Sequence, residues 1–443
     1  MKSGLALLFA LTTLNPASAA TFIVSSLADS GTGSLRQAVI SANSAAGEDE
    51  IVFTVTGKIT LTSGEIAIAD RLKIAGPGAG ALTVSGNDQS RIFLVQGPAK
   101  AAIDVTLSGL TLTRGRTSLR GGAVAVLNEN LTILDSVISD SRAGRSAAPP
   151  SNGCGGNVAL REGTLRIVNS RLTAGTAEGV GASTGGNLCA VGESLRLETT
   201  TVSGGTARQG GGLYFLGAWA TIHSSTISGN TAEANGGGVY IGVGDVGFLN
   251  STISGNTAGN GGGLYADNTG DGFSGTFVTF ELTTLSNNTA TAAGGSLHQD
   301  GTAGGLSIYD SIIANGKPED IDLSSGFYVA RHSLIEAPLG PPIPGTNNIL
   351  GVDPRLGPLA NNGGPTMTHV PLPGSPAINA GNPAIADPPA TDERGYPRIA
   401  GPAVDMGSVE APGALAEVPT LSEWSILTLS ALFMAVGVWR LRT

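Results

Sequence analysis

Residues 225–232 read Ser-Thr-Ile-Ser-Gly-Asn-Thr-Ala, and residues 251–258 read the same. Each copy is soon followed by a glycine cluster and an apolar–Tyr pair: Gly236-Gly237-Gly238-Val239-Tyr240, then Gly261-Gly262-Gly263-Leu264-Tyr265. A unit repeated in this way cannot bury its apolar face alone and must stack on its neighbours.

One rule extends the repeat outward: two apolar residues five apart, then a small polar turn. It is obeyed by Leu107/Leu112, Ile133/Ile138, Ile167/Leu172, Leu197/Val202, Ile222/Ile227, Phe248/Ile253, Phe280/Leu285 and Ile308/Ile313. From Leu107 to Ile308 there are seven steps, so one coil takes about 29 residues, a length typical of solenoid repeats. An apolar or small residue two places before each first member (Val105, Leu131, Leu165, Leu195, Ala220, Val246, Val278, Leu306) gives the alternation of a strand with one face inside. After each glycine cluster a second alternating strand begins, as at Val124/Val126, Leu213/Phe215 and Val239/Ile241. Short strands, polar turns and no helical periodicity predict an all-β chain folded as a parallel β-helix, with coils about 4.8 Å apart. Gly is 67 of 443 residues, a density that suggests disorder unless an inward ladder gives each coil a face to bury, as it does here. The net charge of −10 argues against nucleic acid as a partner.

Both ends carry address signals. Lys2, the apolar run Leu5–Leu14, Pro16 and Ala17-Ser18-Ala19-Ala20 form a secretory signal peptide over residues 1–20. Glu423 and Arg440 bracket 16 uncharged residues, 424–439, with Trp424 and Trp439 at the edges. As a C-terminal transmembrane helix this stretch reaches about 24 Å, short for a bilayer core. Arg440 and Arg442 would hold the end in the cytoplasm and leave the body outside.

Val418-Pro419-Thr420-Leu421-Ser422-Glu423-Trp424 resembles the IPTL-CTERM sorting signal, a relative of PEP-CTERM tails, with Val418 where that family has Ile. The resemblance implies a tail held in the inner membrane and then cut by an exosortase-type processing enzyme; an ordinary membrane anchor is the alternative. Residues 21–53, with Gly33-Ser34-Leu35-Arg36-Gln37-Ala38, resemble the N-terminal segment of bacterial surface β-helix proteins. Ser34 is an N-cap candidate, and Leu35, Ala38, Val39 and Ala42 form one stripe of a short helix capping the open coil. Residues 349–410, with Asp353-Pro354-Arg355-Leu356, Asn361-Asn362-Gly363-Gly364-Pro365-Thr366 and Asp392-Glu393-Arg394-Gly395, resemble the choice-of-anchor Q domain. Together these traits resemble the right-handed parallel β-helix surface proteins of bacteria, whose solenoid is pectin-lyase-like. The expected organisation is signal 1–20, N-terminal cap 21–53, coils 54–337, C-terminal cap 338–412 and sorting tail 418–443.

Chemistry is less legible. The Asn-Thr-Asp, Asp-Asp, Gly-His-Gly and Arg-Ile-Lys motifs of β-helical polysaccharide hydrolases do not occur. One turn column runs Gly109, Asp135, Asn169, Thr199, Ser224, Asn250, Leu282, Asp310; its two acids are six coils apart, roughly 29 Å, too far to cooperate. These read as turn residues that bond local backbone. Glu198 and His223 share an outward column on successive coils, and such a pair can act as acid and base or be a plain surface pair. Cys189, Tyr214, Tyr240, Tyr265 and His298 form another outward column. Its rings are either a platform for sugars, with accessible hydroxyls, or a cross-strand ladder that stabilises a glycine-rich sheet. His332 and His369 have no companions, so neither a metal nor a cofactor is expected. Export permits a Cys154–Cys189 disulfide. An extended chain sets Cys154 about 16 Å out of step with Cys189, and a fold-back at Pro149-Pro150-Ser151-Asn152 would remove the offset, so the pairing stays open.

The reading that follows is a secreted or cell-surface β-helix scaffold, adhesin-like, structural or binding a glycan or other cell-surface ligand. The alternative is a polysaccharide lyase or glycoside hydrolase with an unrecognised active site. An autotransporter passenger is disfavoured, since no amphipathic barrel strands precede the C-terminus.

Overall fold

The computed structural model describes residues 19–98, 101–144, 153–179, 183–268, 275–301, 304–323, 327–339 and 342–411. Residues 1–18 of the expected signal peptide, the expected sorting signal Val418–Trp424, the expected span 424–439 and Arg440/Arg442 lie outside them. Among the described residues the strands form three parallel sheets of 20, 12 and 7 members, wound as a parallel β-helix. Each inward residue of the eight pairs is at most 1% exposed, and the apolar row two places earlier at most 3%. The register stacks like on like, as in Ile222↔Phe248↔Phe280↔Ile308. Phe248 and Phe280 stack at 5.0 Å inside the coil.

The repeated octapeptide can now be decoded residue by residue. Ser224 and Asn250, just ahead of each copy, sit at φ 47° and 55° and turn the chain from the first sheet into the second. The same left-handed turn recurs at Asp135, Asn169, Thr199, Leu282 and Asp310, as the turn column predicts. Thr199 and Leu282 adopt it against the cost of a Cβ, because the register of every coil demands it. Ser225 Oγ and Ser251 Oγ lie inside, each bonding the carbonyl two residues back and accepting an N–H from the neighbouring coil. Ile227 is core, and Gly229 at φ 62° makes the next corner. Asn230 enters a fully buried ladder, Asn157–Asn187–Asn230–Asn256–Asn288, with amide-to-amide bonds of 2.8–3.2 Å. Each of these four side-chain steps hands its Nδ2–H to the next Oδ1, so no buried donor is orphaned along the row.

The glycine cluster is a tight corner. Gly236 and Gly261 adopt φ 68° and 60°, and a Cβ there would lie 2.3 Å from the carbonyl oxygens of Val239 and Leu264. The corner doubles the chain back, so the residue before it lies beside the residue five later, as Thr184 Oγ1 does at 3.4 Å from Cys189 Sγ. Cys154 stacks under Thr184, which carries it to Cys189 with a Cα–Cα distance of 5.4 Å, and the disulfide is formed. The extended-chain offset fails because the chain turns at Gly155, at φ 69°, just after Cys154; the Pro149–Asn152 loop lies outside the described residues.

Helix Leu35–Ala42 is capped by Ser34, whose hydroxyl accepts from Gln37 N, and buries Leu35, Ala38, Val39 and Ala42. Its segment is itself a coil: strand Thr21–Val24 pairs with Asp49–Phe53, which pairs with Leu72–Ala75. At the other end the coil runs past residue 337, since Pro338–Leu339 and Ile349–Leu350 still pair in parallel with earlier strands. Residues 351–411 then run back along the outer face of the second sheet, so they line a flank where an end cap was expected.

Candidate functional site

The flank is bonded to the second sheet through buried side chains. The Thr and Ser of each Thr-Ile-Ser strand point outward, yet Thr226, Thr252, Thr284, Ser254 and Ser286 are at most 2% exposed. Residues 351–410 reach Thr226, Thr252, Ser254 and Thr284 by hydrogen bonds, while Ser286 accepts from Asn315. Glu393 is buried among hydroxyls: Thr226 Oγ1 and Thr366 Oγ1 donate to its Oε1 at 3.1 and 3.2 Å, and Thr252 Oγ1 to its Oε2 at 2.6 Å. Burial pushes its carboxyl up to about 8, against the pull of those hydrogen bonds. Arg398 is buried beside it and donates to Asn250 Oδ1 and to the carbonyls of Gly407 and Ser408. His369, kept neutral by burial, donates from Nδ1 to Gly357 O and accepts from Ser254 Oγ at Nε2, 2.8 Å away. These are docking contacts that bury the seam, leaving the Arg398 Nε as its one donor without a partner among the described residues.

Glu198 and His223 do occupy one column. Glu198 Oε1, however, accepts from Arg166 Nε at 2.9 Å and from Arg196 Nε at 2.7 Å. Burial holds the His223 ring below its usual range, with Glu198 opposing and Arg196 adding to the fall. A carboxylate shared by two guanidinium groups beside a neutral ring is an ion cluster on the sheet and a poor general base.

Tyr214, Tyr240, Tyr265 and His298 form a continuous stack, with centroids 5.0, 5.3 and 5.2 Å apart and planes within 18°. Tyr240 and Tyr265 are only 5% exposed, and their hydroxyls donate to Asp267 at 2.6 Å and Asp300 at 3.0 Å. Burial, then the partner carboxylate, pushes both phenols well above the usual range. The expectation of accessible hydroxyls is therefore corrected for Tyr240 and Tyr265: the ring faces are spent on neighbouring rings, and these two hydroxyls on a carboxylate one coil along. Among the described residues no group of three or more His, Cys, Asp or Glu side chains is placed to hold a metal.

A third column went unread in the sequence. On the same long strands, three places before the inward row, Ser194, Trp219, Asp245, Phe277, Gly305 and Phe327 stack in register. Trp219 is 48% exposed, Phe277 52% and Phe327 70%, while Asp245 is exposed between the first two. Trp219, Thr221, Asp245, Gly247, Phe277 and Thr279 line an open trough of about 530 Å³. The column could have been found by counting back from Ile222, Phe248 and Phe280.

Residues 418–443 match the IPTL-CTERM motif. The chain is similar in fold to the crystal structure of the pectate lyase Pel9A, with 14% identity and a TM-score of 0.45 over 88% of this chain and 96% of that one. A likeness of that size carries no argument about chemistry. No curated protein matches the sequence.

Proposed function

We propose that this chain is an exported cell-surface scaffold: a β-helix that presents a glycan-binding face and is sorted to the surface by its C-terminal tail. The observation that carries the reading is the IPTL-CTERM match at residues 418–443, following a solenoid with hydrogen-bonded cores and a sealed flank. The tail supports a transient stay in the inner membrane and processing by an exosortase-type enzyme. Residues 351–410, within the stretch 349–410 that resembles the choice-of-anchor Q domain, act as a strap that fastens the last coils before the tail begins. Glu198 and Glu393 give the lyase or hydrolase alternative no support, because the first is held by two arginines and the second is enclosed.

Protease shaving of intact cells tests the location. Peptides from the coils should appear in the shaved fraction, with no reducing-sugar or unsaturated product formed from polysaccharides by the purified protein. Protein recovered only from the cytoplasm, or turnover of a polysaccharide, would overturn the reading.

A further inference from the structure

We propose that the Trp219–Asp245–Phe277 trough binds a neutral β-1,4-linked polysaccharide laid along the solenoid axis. This deepens the surface-scaffold reading and rests on it. Aromatic side chains stand on every second coil, Trp219, Phe277 and Phe327, with Asp245 and Gly305 between them. Coils in a parallel sheet are separated by about 4.8 Å, so the platforms recur at roughly 10 Å. An extended 1,4-linked pyranose chain advances by close to one coil rise per sugar. In a β-1,4 chain alternate sugars are turned over, so the same apolar face returns at every second residue. Platform and ligand therefore share one period, and a stretch of five sugars would run from Trp219 to Phe327.

The second strand of the argument is chemical. The electron-rich face of an aromatic ring attracts the C–H-bearing face of a pyranose, and Trp219 and Phe277 are left half-exposed where the other aromatic column is not. Thr221 and Thr279, on the trough floor, supply hydroxyls, and Asp245 supplies an acceptor for sugar hydroxyls between the two platforms. Gly247 leaves the floor open, since nothing lies within 4 Å of where its Cβ would be. Gly305 lets the Phe277 ring lie flat: a Cβ there would come within 3.0 Å of it.

The third strand is charge. The residues lining the trough include one carboxylate and no cation. Arg196, on the preceding coil, is taken by Glu198. A polyuronate would bring its own carboxylates against Asp245 with nothing to balance them, on a chain of net charge −10. Neutral gluco- or N-acetylgluco-configured chains meet no such penalty.

The test uses the mature purified chain and three probes: cello-oligosaccharides, N-acetylchito-oligosaccharides and polygalacturonate, titrated by calorimetry. One or both neutral series should bind, with affinity rising steeply from three to five sugars and then levelling off. Trp219→Ala and Phe277→Ala should each weaken that binding at least tenfold while leaving the thermal midpoint unchanged, because both side chains are already exposed. Asp245→Asn should weaken neutral binding only a few-fold and relieve the exclusion of polygalacturonate. Neutral binding that survives the Trp219→Ala/Phe277→Ala double variant, or wild-type preference for polygalacturonate, would overturn the site. So would a wild-type dimer in light scattering that Trp219→Ala converts to monomer, which would make the patch a self-contact. Cell shaving reports separately on the scaffold reading, so a correctly displayed protein that binds no neutral glycan rejects this proposal alone.

Discussion

Glu393 concentrates the energetics of the flank in one side chain. Its folded-state carboxyl titrates at about 8, against an ordinary glutamate near 4.3, so folding takes up a proton at this position. The stability it contributes is complete below the unfolded value and is lost as pH rises through the interval toward 8. Glu410 and Asp320, each raised to about 7 mainly by burial, act in the same direction. The protein should therefore resist urea better at pH 5 than at pH 8. Glu393→Gln keeps the shape and removes the titration, so the variant should lose less over that range, by on the order of 2–4 kcal/mol. Urea midpoints at the two pH values measure the difference. Equal losses in both proteins would mean that Glu393 carries its charge throughout.

Single elements of the coil are secured by rows that run across coils. The Asn ladder is the clearest. Asn256 donates to Ile227 O and to Asn288 Oδ1, and its own Oδ1 accepts from the backbone N–H and the side chain of Asn230. Asn256→Ala strips partners from several buried groups at once and should cost about 2–4 kcal/mol, at the upper end of the penalty for unsatisfied polar atoms. Chemical denaturation would check this, with a loss under about 0.5 kcal/mol counting against the ladder. Much of this level was legible in the sequence, because inward Leu, Ile, Val and Phe rows and a Gly/Asp/Asn turn column leave a periodic trace. The docked flank left none. Thr226, Thr252 and Ser254 look like solvent-facing polar residues, and they are buried by hydroxyl, carboxylate and imidazole partners more than 100 positions away. The Trp219 column escaped for a different reason. Its members differ in type at each coil, so they leave no periodic trace of their own and show as neighbours only when counted back from the inward Ile222, Phe248 and Phe280.

At the scale of the whole chain, the proposed division of labour gives the coils the binding task and the IPTL-CTERM tail the sorting task. Its 16 uncharged residues from Trp424 to Trp439 span about 24 Å as a helix, several ångströms short of a typical hydrocarbon core. Such a mismatch makes a poor permanent anchor and an adequate transient one. Arg440 and Arg442 beyond it favour a cytoplasmic end, which keeps Pro419-Thr420-Leu421 near the outer boundary, within reach of a processing enzyme on that side. Replacing those three residues by alanine should leave export intact, because residues 1–20, read from the sequence as a signal peptide, are untouched, yet trap uncleaved protein in the inner membrane. Fractionation would show the shift from surface to membrane, and mass spectrometry of the mature C-terminus would show wild-type protein ending before Arg440. An intact Arg442-Thr443 terminus on surface-exposed wild-type protein would show that the tail is not removed. The coils would then reach the surface by a route that the motif does not govern.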